Sequence, residues 1–172
     1  DSSSTTVNND AYTELLHHNY IGMNGAVMYS RQALNLFPFN ENMKACEDYE
    51  QYLRITRKMQ VIHHQEKITA YRIHGDNMSN NPVLMLECAL QSLKTQHNFL
   101  KNKQEQQAIV NGKKFWESKY LPQIASHIAK GAFPNGNTNK ILLVKYSPKL
   151  IRLVFGIWFR LIRNKIKGIP DY

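Results

Sequence analysis

The apolar positions of this chain change period several times, and each change marks an element. Residues 20–30 (YIGMNGAVMYS) are uncharged, apolar and carry two glycines, which predicts a buried strand entered through a tight turn. Residues 37–42 form a loop. Residues 47–59 predict a helix, with acidic residues in the first turn and Arg54, Arg57 and Lys58 near the end, as the helix dipole favours. Tyr49, Tyr52, Leu53 and Thr56 share one face of it, and Glu50 stands one turn before Arg54, where the two can pair. Two short β-rich runs, 61–64 and 68–74, are split by Gln65-Glu66-Lys67 and predict a hairpin or two adjacent strands. Ser79-Asn80-Asn81-Pro82 then opens a helix, by an Asx or Ser cap and a proline in the first turn, that runs to about residue 100. A further helix is expected over residues 105–130, with Pro122 kinking or breaking it.

The last pattern is the most regular. In residues 148–167 (PKLIRLVFGIWFRLIRNKIK) a helical wheel puts Arg152, Gly156, Arg160, Arg163 and Lys167 on one narrow stripe, with Lys165 as the exception. Apolar side chains fill the wide remainder. The uninterrupted apolar stretches fall short of the roughly 20 residues that cross a bilayer, so the pattern suits a helix lying in the plane of a membrane. The same wide arc also suits a helix buried in a protein core.

Composition narrows the field. With 42% hydrophobic residues in 172, the chain is neither disordered nor fibrous, and at this length it can bury roughly 70% of its unfolded surface, enough for one core. Two cysteines, Cys46 and Cys88, are too few for a disulfide scaffold and point to free thiols in a reducing, cytoplasmic setting. The first ten residues are polar and show neither the basic start nor the apolar run of a signal peptide. They begin mid-phrase, as a piece cut from a longer protein would. Of the net charge of +9, residues 131–172 hold eight basic side chains against Asp171 alone. This basic tail calls for an anionic surface, lipid or nucleic acid, as its partner. The chain therefore divides into a polar lead-in (1–18), a mixed region (19–80), a helical extension (81–130) and a loop with a basic amphipathic helix (131–172).

Glu47-Asp48 at a predicted helix start has an ordinary explanation as a cap, because the dipole and the free N–H groups there favour carboxylates. Its surroundings add a second reading. Residues 46–54 read Cys-Glu-Asp-Tyr-Glu-Gln-Tyr-Leu-Arg, preceded by Phe39-Asn40-Glu41 and followed by Tyr71-Arg72-Ile73-His74 and Asn77-Met78-Ser79. Over residues 19–80 this order resembles the C-terminal half of a family 2 glycosyltransferase, an inverting enzyme of the α/β GT-A fold. Asn40 departs from the aspartate usual in that loop. The resemblance implies a few strands followed by a helix-rich region, and it implies roles. Asp48 would be the general base that takes the acceptor hydroxyl's proton, and Glu47 would orient the acceptor. Arg72 and His74 would contact the donor diphosphate, with His74 also a ligand of a divalent cation, manganese or magnesium. On a strand, Arg72 and His74 would share a face. An equally simple role for His74 is a hydrogen bond within its loop to Ser79.

The aspartates are Asp1, Asp10, Asp48, Asp76 and Asp171, so no Asp-x-Asp pair is present to hold a metal on a sugar nucleotide. The donor-binding half is expected to precede residue 1. Together these features predict the acceptor-side portion of an enzyme that moves a sugar from a nucleotide sugar to a glycan or lipid-linked acceptor in polysaccharide synthesis. Residues 148–167 would hold it on the cytoplasmic face of the membrane. The alternative is a nonenzymatic basic module that binds nucleic acid through residues 131–172. The size of the tail's apolar arc argues against it, and no nucleic acid is expected.

Overall fold

The computed structural model describes residues 10–64, 66–72, 74–75, 77–129, 146 and 148–167. It overturns the α/β expectation: the chain is mostly helical, and among the described residues there is neither a strand nor a sheet. Among the described residues six α-helices are delimited: α1 (Ala11–His17), α2 (Arg31–Leu36), α3 (Glu47–Thr56), α4 (Pro82–Thr95), α5 (Lys103–Ala129) and α6 (Lys149–Lys167). Short 3-10 turns occur at Asn24–Ala26, Met78–Asn80 and His97–Phe99. Two compact units result, Asp1–Glu117 and Ser118–Tyr172, with the division inside α5.

The three predicted strands fail for one reason. An extended segment becomes a strand only when a second one accepts its N–H groups, and among the described residues no such pairing forms; Ile73 of the last run lies outside them. In residues 20–30 the Ala26 N–H donates to the Met23 carbonyl and the Val27 N–H to that of Asn24, which makes a 3-10 turn. Residues 61–64 and 66–72 have no regular structure.

Local chemistry sets the helix starts. The side chains of Asp10, Ser30 and Asn81 accept from the backbone N–H groups of Thr13, Ala33 and Leu84, capping α1, α2 and α4, and Pro82 opens α4 as expected. α3 is different. Cys46 precedes it with φ 58°, a left-handed conformation rare outside glycine and asparagine, and supplies no capping bond. The carboxylates of the first turn therefore stand against N–H groups that Cys46 leaves uncapped.

The core of the first unit is built around α3, which packs on α1 and on α4. Leu15 and Leu16 of α1, in the stretch that reads as a polar lead-in, are fully buried with Tyr49, Leu53 and Leu86. The Tyr49 hydroxyl donates to the Leu15 carbonyl at 2.7 Å, and the ring lies 5.5 Å from that of Trp116 on α5. α5 comes unusually close to the end of α1. A Cβ on Gly112 would stand 1.9 Å from the Leu16 carbonyl oxygen, so only glycine permits the approach.

Two ion pairs hold α3 in place. The expected Glu50–Arg54 pair forms at 2.9 Å, and Arg54 also donates to the Pro38 carbonyl at 2.6 Å, tying down the loop before α3. At the other end, Arg57 meets Glu105 at 2.8 Å, lies over the Tyr12 ring, and donates to the Phe99 carbonyl. Glu105 itself accepts from the Lys101 N–H at 2.7 Å, while Asn102 caps the Glu105 N–H at 2.8 Å. This is a variant of the capping box at the start of α5, the carboxylate reaching the N–H one residue before the cap, and that carboxylate is shared by Arg57.

In the second unit, Tyr120, Leu121, Ile124 and Ala125 of α5 are buried, and Pro122 sits within the helix without ending it. Among the described residues no helix is long and apolar enough to cross a membrane.

Candidate active site

Glu47 and Asp48 stand in the first turn of α3, both half-buried. The Asp48 carboxylate accepts from the Tyr49 N–H at 2.6 Å. Burial pushes its pKa above the ordinary value and Glu47 beside it pushes the same way, while the bond from the Tyr49 N–H pulls it down. Desolvation wins. A carboxylate so placed holds a proton more tightly than one in water, which is what proton abstraction asks of it.

The residue that sequence reasoning left in the core is Tyr52. It lies one helical turn beyond Asp48, its side chain is 2% exposed, and its buried hydroxyl makes no hydrogen bond of good geometry. Burial raises its pKa, and so do Asp48, Tyr29 and Glu47. Tyr29 reaches this place from the segment before α2. Its own pKa is raised by burial and by Asp48, and lowered by the Tyr52 hydroxyl. The Tyr29 hydroxyl donates to Asn24 at 2.7 Å, and its ring meets Phe39 edge-on at 6.5 Å. Two phenols thus gather near one carboxylate. The i, i+4 spacing of Asp48 and Tyr52 carried the signal, but Tyr52 also fitted the apolar face, and the sequence does not separate the two.

Arg72 and His74 are placed otherwise. Both are exposed, in irregular backbone, so the shared face of a strand does not exist for them. Their backbone is what the surrounding motif grips. Asn77 donates to the Arg72 carbonyl at 2.9 Å, Asn80 to the His74 carbonyl at 3.0 Å, and the hydroxyls of Tyr71 and Ser79 pair at 3.1 Å. The tyrosine, asparagine and serine positions of the run are therefore loop fasteners. Ser79 pairs with Tyr71, whereas His74 takes part through its carbonyl. Among the described residues no hydrogen bond or ion pair joins Arg72 or His74 to Glu47 or Asp48.

The implied divalent cation finds little to hold it. Among the described residues no group of three His, Cys, Asp or Glu side chains is arranged for a metal, and Asp76, near His74, lies outside them. Cys46 and Cys88 do not form a disulfide. Burial pushes the Cys88 thiol up, away from the thiolate that nucleophilic chemistry needs. What the site offers is one partly desolvated base with phenols beside it. Comparison of the chain with family models, with curated proteins and with solved structures found no match.

Proposed function

We propose that this chain carries the acceptor side of an inverting sugar transfer from a nucleotide sugar to a glycan or lipid-linked acceptor. In this reading Asp48 is the general base and Glu47 orients the acceptor. The observation that supports it best is the state of Asp48: a half-buried carboxylate in the first turn of a helix, its pKa raised by burial, whose charge reaches the buried phenol of Tyr52 one turn on. In the reaction the acceptor hydroxyl gives its proton to Asp48 as its oxygen attacks the anomeric carbon, and the nucleoside diphosphate leaves with the bonding electrons. Arg72, exposed on its fastened loop, is the cation available to the leaving diphosphate.

The test is Asp48→Asn in the complete encoded polypeptide, assayed with nucleotide sugars at saturating donor. Turnover falls about a hundredfold to ten-thousandfold, as loss of a general base does, with donor affinity unchanged. Near-normal turnover would sink the reading. Stability separates loss of the base from loss of the fold. Because the folded pKa of Asp48 is raised, the folded state holds its proton more tightly than the unfolded one, so stability falls as pH rises from the ordinary carboxylate value through the raised one. Asp48→Asn removes that cost and melts no lower than the parent at pH 7. The advantage disappears in acid, where Asp48 is protonated in both states.

A further inference from the structure

The wide apolar arc of α6 is divided by the fold, and the division identifies a surface. Leu150 is fully buried, and Val154, Ile157 and Leu161, which follow it around the same side, are half-buried. Ile151, Phe155, Trp158, Phe159, Ile162 and Ile166 are exposed, with Phe155 at 55%, Trp158 at 48% and Phe159 at 65%. At 3.6 residues per turn these six occupy an arc of about 100°. Arg152, Arg160, Arg163 and Lys167, all exposed, occupy the next arc of about 80°, beginning beside Phe159. The helix therefore has three faces at roughly 120° to one another: half-buried, aromatic and basic.

We infer that the aromatic face of α6 docks in the plane of an anionic membrane, with the basic arc in the headgroup layer along one edge. The physical argument is complementarity on two adjoining faces at once. An exposed face of three aromatic and three isoleucine side chains loses its contact with water only by entering something apolar, and tryptophan and phenylalanine suit the boundary between headgroup and acyl chain. The basic arc beside it requires negative charge at the rim of that apolar medium, which an anionic bilayer supplies. A nucleic acid would satisfy the arginines and leave the aromatic face in water. A second copy packed on the aromatic face would bring like charge beside like charge. Since α6 is not apolar enough to cross a membrane, the helix lies along it. The inference is independent of the sugar-transfer reading, and its test uses no sugar.

The full chain is mixed with vesicles of phosphatidylcholine, with and without phosphatidylglycerol, and tryptophan emission is recorded with acyl chains brominated near the headgroup. Trp116 is 4% exposed and beyond the quencher's reach, so quenching reports Trp158. Emission shifts to the blue and is quenched with the anionic vesicles, and more weakly or not at all with the neutral ones. Arg160→Glu with Arg163→Glu weakens partitioning at least about tenfold, since each basic residue near such a surface is worth about a fivefold factor. Phe159→Ser, on the apolar face, weakens it without changing the charge. Circular dichroism checks that each variant keeps its helix. Lys94→Glu with Lys101→Glu, a charge change of the same size on exposed residues of the first unit, leaves partitioning within about threefold. The inference falls if emission is unmoved by anionic vesicles, or if the control pair weakens binding as much as the α6 pair. It falls equally if a duplex RNA binds α6 while Trp158 stays unquenched by vesicles, or if sedimentation shows a dimer that shields Trp158 without lipid.

Discussion

α3 and α6 are both amphipathic by sequence, and the fold treats them in opposite ways. α3 buries polar residues, Glu50 and Gln51, as well as apolar ones: Arg54 meets Glu50, and the Gln51 amide N–H donates to the Phe37 carbonyl at 2.7 Å, although the Gln51 Oε1 is buried without a hydrogen bond. α6 leaves large apolar residues in the open although its pattern is the more regular of the two. Periodicity says which side chains share a face and does not say what covers the face. Where polar atoms are held by named partners, as on α3, position is fixed closely enough to tune one carboxylate. Where large apolar side chains are exposed, as on α6, the pattern itself does not name what covers them.

Three substitutions sharpen that contrast by disturbing α3 and its anchors while leaving the α6 surface intact. The largest effect is expected for Arg57→Met, which keeps the bulk over Tyr12 but leaves the Glu105 carboxylate buried without its cation. Removing one partner of a nearly buried pair costs about 3 kcal/mol, readable as a lower urea midpoint. A midpoint within experimental error of the parent would show that Arg57 is not an anchor. Gly112→Ala comes next. Its methyl group must push α5 away from the Leu16 carbonyl, and even with alanine's better helix propensity the chain loses about 2 kcal/mol, with Trp116 emission shifted as its contact with Tyr49 loosens. Tyr52→Phe has the smallest effect and the opposite sign. Deleting a buried hydroxyl that makes no good hydrogen bond stabilises by about 1 kcal/mol, and a loss of stability would show that the hydroxyl is well paired. All three variants, below their melting temperatures, are expected to bind anionic vesicles as the parent does.

The helices with local signals were legible in the sequence. Asn81-Pro82 announced α4, Glu47 to Arg54 announced α3 with its Glu50–Arg54 pair, and Pro122 was rightly placed inside a long helix, which it did not end. α1 and α2 carried capping signals in Asp10 and Ser30, but with seven and six residues each they gave too few turns for a periodic pattern to show. The strands were illegible for a physical reason. Residues such as Val27, Val61 and Ile68 report only that a segment would suit a sheet, and pairing depends on a second segment far along the chain. At the site, adjacency on one helix carried Glu47 and Asp48 through to the structure. The union of Tyr29 with Tyr52 depends on how the segment before α2 returns to α3, which no spacing encodes. In the Tyr71 to Asn80 run the residue types do not reveal that the asparagines and the serine hold the loop together, because their partners are backbone carbonyls and a tyrosine hydroxyl several residues away.

Gly112 also bears on ancestry. At most positions of α5 several residue types meet the same physical demand, so a comparison of distant sequences sees mostly noise there. At Gly112 the alphabet contracts to one letter, because the obstacle is a backbone oxygen whose place does not depend on which side chain residue 16 carries. Chains that descend from a common ancestor and keep this helix crossing must keep that glycine while almost everything around it drifts. A glycine at this point of α5 is therefore the mark that divergent kin keeping this helix crossing are expected to share.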